Sequence, residues 1–366
     1  MRNTRRSFLQ TSLAFGAATL HAADDGPTRE ELAAMDDVVL AFMAAHQVPG
    51  MSVAVARAGV SVHQKAYGMA DLGSGEKVTP GHLFRIASVS KPITSVAIFQ
   101  LIEQGKLKLD DPVFGPGAIL GTDFGRPPYK PHVADIRLKH LLTHTAGGWQ
   151  NDGSDPMFRN TAMNHRELIA WAIDDVPLSN APGEHYAYSN FGYCVVGRII
   201  ENVTGKPYEQ HVREAVLARC GVSDMRISGN TRAERARGEV VYYASEGEDA
   251  YDMNVRRMDS HGGWLATAPD LVRFATHLDI LRPKSVAEMT TGTTANPNYA
   301  CGWAVNNVPN WWHAGSLPGT TSIMVRTASG FCWAALLNAR ESHGNTGGAL
   351  DDLMWQMVRK VKSWKA

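Results

Sequence analysis

The sequence predicts an α/β (α+β) fold: a helix-flanked antiparallel β-sheet with an inserted all-helical lobe. Three observations carry this expectation. An amphipathic helical stretch and a hairpin pattern stand together near the N-terminus, strand-like runs and a last helical stretch close the chain, and helices joined by long Pro- and Gly-bearing loops lie between them. Neither the hairpin nor the late strands make a stable sheet alone, so pooling them, with the middle as an insertion, is the economical arrangement. The implied boundaries are 24–84 and 259–366 for the sheet lobe and 85–258 for the mainly helical lobe, with a cleft between them and residues 1–23 set apart.

Residues 1–23 have a basic head, a short apolar stretch and then small residues, the anatomy of an export signal rather than a membrane span. Arg5 and Arg6 ahead of Phe8 and Leu9 resemble a twin-arginine signal, so the chain is expected to be exported, periplasmic or extracellular. No other apolar run is long enough to cross a bilayer. Thr28 and Glu31 stand in capping-box register ahead of apolar residues at Leu32, Met35, Val39, Phe42 and Met43, which predicts the first helix. Two strands around the Ala58-Gly59 turn follow. Helical runs are expected over 88–104, 136–143, 165–174, 190–204 and 207–219, and again from about Pro269. The strands "YACGWAVN", "NWWHAGS", "TTSIMVRT" and "FCWAALLN" come next, with "TASG" as a hairpin turn, and a helix over Leu350 to Val361 ends the order.

With 366 residues, 44% hydrophobic and 20% charged, the chain can bury an enzyme-sized cleft. Its 36 basic residues balance 36 acidic ones, so no global field steers it to nucleic acid or an anionic membrane, and a small-molecule substrate fits better. Cys194, Cys220, Cys301 and Cys332 have no zinc or CxxC spacing. Cys301 and Cys332 lie in strand-like segments that can be neighbours, which leaves one bridge open, while buried reduced thiols are the reading the pattern favours. His140 and His144, four apart, lack the glutamate of a zinc-protease helix and read as a packed helix end. No cofactor and no metal is expected.

The chemistry starts at "FRIASVSKPITS", 84 to 95. Proline is tolerated only in a helix's first turn, so Pro92 places the helix start near Ser88 and the Ser88 hydroxyl at a positive helix end. Lys91, three residues on, shares that face. A buried lysine of lowered pKa can take the proton that makes a serine nucleophilic. "SGEK", Ser74 to Lys77, has the same spacing but sits in a Gly-flanked turn and reads as chance. Tyr188 and Asn190 form a second element, a phenol able to shuttle protons and an amide able to orient the lysine or a substrate carbonyl. Its bland alternative is Asn190 capping a helix while Tyr188 packs in the loop. The third element is His313-Ala-Gly315, in which the ring supplies a donor, the glycine lets substrate approach, and the Ser316 N–H is an oxyanion donor. His261-Gly262-Gly263 matches the same pattern but reads as a turn. Trp149, Trp264, Tyr242 and Trp312 are candidates for aromatic surface around a substrate.

Taken in order, Ser88-x-x-Lys91, Tyr188-x-Asn190 and His313-x-Gly315 resemble the class C β-lactamase and penicillin-binding-protein-like serine hydrolases, closest in pattern to the family VIII esterases. "LKHLLTHTAGG", "YSNFGYCVVGRIIENVTGKPY" and "GGWLATAPDLVRF" are similar to segments of that family, and the resemblance runs from about residue 28 onward. It implies a β-lactamase/transpeptidase-like fold, acylation of Ser88, proton traffic through Lys91 and Tyr188, and an oxyanion hole from the Ser88 and Ser316 N–H groups. One departure bears on substrate: the family's lactamases and transpeptidases usually carry Lys-Thr-Gly where this chain has His313-Ala-Gly315. A histidine is mostly neutral near pH 7, which favours carboxylic esters over substrates with a carboxylate to pair. The alternative is a β-lactamase, DD-carboxypeptidase or D-aminopeptidase cleaving amides, and a silent binding protein is the reading the three intact motifs oppose.

Overall fold

A computed structural model of the chain describes residues 27–340 and 346–364, so the expected export signal lies outside the described residues. The first helix, α1 (Arg29–Ala45), begins on the capping box of Thr28 and Glu31. The chain then enters β1 (Gly50–Arg57), turns at Ala58-Gly59 into β2 (Val60–Asp71), and adds the two-residue strand β3 (Glu76–Lys77). After β4 (Phe84–Arg85) come the helices α2 (Ser90–Glu103), α3 (Leu138–Leu142), α4 (His165–Asp175), α5 (Asn190–Thr204) and α6 (Tyr208–Val212). β5 (Arg226–Ile227) and β6 (Trp264–Ala266) precede α7 (Ala268–Thr276) and α8 (Pro283–Met289). β7 (Ala304–Val305), β8 (Trp311–Leu317), β9 (Thr320–Arg326), β10 (Phe331–Leu337) and α9 (Thr346–Val358) complete the order.

The early hairpin and the late strands share one sheet, in the order β3-β2-β1-β10-β9-β8-β7, and every pair in it is antiparallel. β1 and β10 close the circuit at the centre, with Val53 opposite Ala335 and Val55 opposite Trp333. Because side chains alternate along a strand, the two faces sort cleanly. Val53, Val55, Trp333, Ala335 and Ile323 join Met35, Val39, Leu350 and Met354 of α1 and α9 in one core. Ala54, Ala56, Ala334, Leu336 and Met324 join the other, larger core with Phe274 and Leu271 of α7 and most of the middle helices. Small residues on this second face let α7 lie close to the sheet.

Several elements differ from expectation for visible reasons. The run expected as one strand from Tyr299 is broken, because Gly302 turns the chain with φ +78°, so that Tyr299 bridges Ala304 and only Ala304–Val305 joins the sheet as a strand. The run over 207–219 is α6 followed by a wider π-turn at Arg213–Leu217 and a tight turn at Ala218–Cys220. The last helix starts at Thr346 and ends at Val358, not over 350–361. The middle segment also holds β5, which with β4 and β6 forms a three-stranded sheet. All four cysteines are free and buried, so the bridge left open between Cys301 and Cys332 does not form. Among the described residues no helix is long and apolar enough to cross a membrane.

Candidate active site

Ser88 does not open α2 directly. It sits in a tight turn, Ala87–Val89, that leads into α2, and its side chain caps neither. Pro92 falls in the first turn of α2, where its missing N–H has no partner to lose. The residue before Ser88 is strained: Ala87 has φ +46°, a left-handed conformation costing a residue with a Cβ about 1–2 kcal/mol. Hydrogen bonds clamp the turn. The Ile86 N–H donates to Trp264 O (3.0 Å), Ser322 Oγ donates to Ile86 O (2.7 Å), Thr320 Oγ1 donates to Arg85 O (2.8 Å) and Ser90 Oγ donates to Ala87 O (2.7 Å). Gly315 of β8 presses on the same turn, where a Cβ would stand 2.2 Å from Ile86 O. That contact requires glycine in the third motif.

Lys91 is fully buried, and its Nζ lies 2.9 Å from Ser88 Oγ, 2.8 Å from Asn190 Oδ1 and 3.1 Å from His261 O. Burial holds its pKa well below the ordinary lysine range, with the charge of Asp155 opposing. A neutral amine has two N–H groups and one lone pair. Asn190 Oδ1 and His261 O can only accept, so they take the two N–H groups and the lone pair faces the Ser88 hydroxyl. The ring of Tyr188 lies under the amine, 4.7 Å from Nζ to its centroid, and Tyr188 and Ser88 line the same cleft. Burial pushes the Tyr188 pKa above the usual tyrosine range, keeping the phenol protonated.

Asn190 is the first residue of α5, but Ser189 is its cap, accepting from the Gly192 N–H at 3.0 Å. The Asn190 amide is thereby left to work: Nδ2 donates to Asn151 Oδ1 (2.9 Å) while Oδ1 accepts from Lys91. Asp155, with no exposed surface, accepts from the Asn190 N–H (2.9 Å) and the Met157 N–H (3.0 Å). Burial raises its carboxyl pKa to about 6 despite those bonds and the nearby Lys91.

His313 lies in the middle of β8 on the far wall, buried, its Nε2 3.0 Å from Tyr299 Oη and its Nδ1 2.6 Å from Ala314 O. Burial first, then the charge of Lys91, holds its pKa down to about 3. The expected ring donor is therefore spent on Ala314 rather than offered to a ligand. Ser88, Tyr188, His313, Gly315 and Ser316 share a cleft of about 470 Å³ with Asn151, Tyr299, Trp312 and Arg340. Arg340 is ion-paired with Glu248.

The structure thus brings together every residue of the three motifs. It also corrects or refines three expectations. His261-Gly262-Gly263 lies at a turn, 259–262, as expected, but its His261 carbonyl also holds Lys91. Trp149, Trp264 and Tyr242 are buried core, and of the four aromatic candidates Trp312 alone lines the cleft. His144, buried just past the end of α3 as expected, also packs against the site, its ring 4.2 Å from the Tyr188 ring, centroid to centroid. Asp155, Tyr299 and Asn151 escaped the motif reading, because none stands at a fixed spacing from Ser88. "SGEK" is a surface turn running into β3. Among the described residues no cluster of His, Cys, Asp and Glu is suited to hold a metal.

A family profile described as Beta-lactamase matches residues 35–352, most of the chain. The chain belongs to the Beta-lactamase family. Within this family of serine hydrolases it is 30% identical to Esterase EstB of Burkholderia gladioli over 66% of its own length and 62% of EstB, so the match spans less than two thirds of that relative. It is 28% identical to Penicillin-binding protein 4 of Amycolatopsis lactamdurans, over 80% of this chain and 81% of that one. The D-amino acid amidase of Ochrobactrum anthropi SV3 superposes with a TM-score of 0.74, covering 90% of this chain and 99% of the amidase at 23% identity. That last likeness shows a shared fold. The mixed architecture, a large antiparallel sheet with helices, is that of the β-lactamase and penicillin-binding-protein-like proteins.

Proposed function

We propose that this Beta-lactamase-family chain cleaves carboxylic esters through an acyl-enzyme on Ser88. The observation that carries the reading is the buried amine of Lys91, 2.9 Å from Ser88 Oγ and held there by Asn190 Oδ1 and the His261 carbonyl, so that in its neutral form the lone pair is left for the hydroxyl. Lys91 takes the serine proton and returns it through Tyr188, which lines the same cleft as Ser88, to the leaving alkoxide, so that both side chains end as they began, and water repeats the sequence to release the acid from Ser88. The Ser88 and Ser316 N–H groups stabilise the oxyanion, each such donor contributing roughly 3–4 kcal/mol in the transition state. Asn190 orients Lys91. In this reading the cleft lies between a sheet lobe, 24–84 with 259–366, and a mainly helical lobe, 85–258, and the chain acts after export under its N-terminal signal.

Ester rather than amide chemistry is favoured by the third motif, where a neutral, buried His313 replaces a fixed cation. One observation supports the other reading. Arg340 borders the cleft and could pair a substrate carboxylate if Glu248 released it, which suits a β-lactam, a peptide of the cell-wall type or a D-amino acid amide. Hydrolysis of p-nitrophenyl butyrate against nitrocefin and D-amino acid amides separates the two. Ester turnover that falls by roughly 10⁴-fold or more in Ser88→Ala, with fluorophosphonate labelling of wild type only, is the expected result. Strong nitrocefin turnover without ester cleavage would replace the ester reading, and a Ser88 that never labels would end the acyl-transfer one.

A further inference from the structure

Two buried groups on the His313 wall have no part in the mechanism above: His144, 1% exposed, and Tyr299, 5% exposed. With His313 they form a hydrogen-bond chain whose direction can be read from end to end. A backbone N–H only donates, so the Ser189 N–H at 3.1 Å makes His144 Nδ1 an acceptor and places that ring's proton on Nε2. His144 Nε2–H then donates to Tyr299 Oη at 3.0 Å, and the phenol proton is left for His313 Nε2, also at 3.0 Å. His313 must carry its own proton on Nδ1, which donates to Ala314 O at 2.6 Å. Every donor and acceptor in the chain is used, and the reverse direction would set two N–H groups against each other at Ser189.

We propose that His144 and Tyr299 are positioning residues that hold His313 as its neutral Nδ1–H tautomer with Nε2 occupied, so that the wall facing Lys91 presents the substrate with neither a cation nor a competing base. The inference rests on the reading of the cleft as an acyl-transfer site. The same three rings enclose Tyr188, with centroids at 4.2 Å for His144, 6.1 Å for Tyr299 and 6.2 Å for His313, so a fixed tautomer also fixes the walls around the phenol. The titratable groups against His313 are Lys91, His144, Tyr188 and Tyr299, and Arg340, paired with Glu248, lines the same cleft. Burial opposes protonation of His313, and a proton on Lys91 acts in the same direction.

The test is the imidazole ¹H–¹⁵N spectrum of the full chain labelled at histidine, with the His313 signals assigned by their loss in His313→Gln. In wild type the proton stays on Nδ1 and Nε2 stays bare between about pH 5 and 8. Tyr299→Phe keeps the ring and removes the donor. His313 then mixes tautomers and protonates at higher pH than in wild type, kcat/KM on the ester falls about tenfold, and the acid limb of its pH profile moves up. His144→Gln restores a donor near the Nε2 position and leaves the His313 spectrum as in wild type, whereas His144→Leu behaves like Tyr299→Phe. A wild-type His313 that is charged at pH 7 or carries its proton on Nε2 overturns the proposal, as does Tyr299→Phe with an unchanged spectrum and pH profile. The wild-type spectrum decides the tautomer even if a variant fails to fold. It needs no substrate, so its failure is distinguishable from a failure of Ser88 to label.

Discussion

The two walls of the cleft are both buried and both polar, yet they handle charge in opposite ways. On the Lys91 wall an amine, a carboxylate and two amides are packed together, and the pKa of Lys91 is driven down while that of Asp155 is driven up. On the His313 wall every polar side chain of the hydrogen-bond chain is a neutral ring satisfied by its neighbour. Burying a charge is costly unless it is paired, and burying a neutral ring whose hydrogen bonds are met is not. Proton-accepting capacity is thereby confined to one side of Ser88. On the proposed reading, the difference lets Ser88 work without a fixed cation on the His313 wall.

The largest expected way to break this contrast is Lys91→Met, which keeps the volume and removes the amine. Ester turnover is expected to fall by about 10³-fold, while thermal unfolding shows no loss of stability because a costly buried amine is gone. Turnover within tenfold of wild type would mean that the base lies elsewhere. Gly315→Ala drives the walls apart, since its Cβ would meet Ile86 O at 2.2 Å. Denaturant unfolding should show a loss of roughly 1–3 kcal/mol, and kcat should fall as the Ser88 turn shifts. Asp155→Asn sharpens the contrast with the smallest effect. The carboxylate raises the Lys91 pKa, so without it the lysine stays neutral to lower pH and the acid limb of kcat/KM moves down. The stability sign follows from a carboxyl pKa raised to about 6 from 3.8: ionisation weakens the native state as pH rises from about 4 through 6. Relative to wild type, the Tm of Asp155→Asn should therefore improve with pH over that window, and a flat difference would refute the assignment.

Much of this was legible in the residues. Pro92 marks a helix start, the i to i+3 spacing aims Ser88 and Lys91 together, and the single Tyr-x-Asn and the strand-borne His-x-Gly supply the rest. The helix-and-hairpin opening and the late strands pool into one sheet because neither could stand alone. What the sequence hid has a common cause. Asp155 and Tyr299 reach the site from loops through contacts of no fixed spacing, and the His261 backbone carbonyl has no side-chain signature at all. Trp149 and Trp264 were indistinguishable from cleft aromatics because a large apolar ring suits a core equally well.

The strained Ala87 turn also has a history in time. Its clamps, Thr320 on Arg85 and Ser322 on Ile86, join residues 235 and 236 positions apart in the chain. Contacts of such separation form only after a large loop has closed, so the local sequence around Ser88 cannot hold its own shape while the chain is still emerging. A nascent or truncated chain ending before Thr320 has the serine and the lysine but not the geometry. The shape of the Ser88 turn therefore arrives only with the last strands.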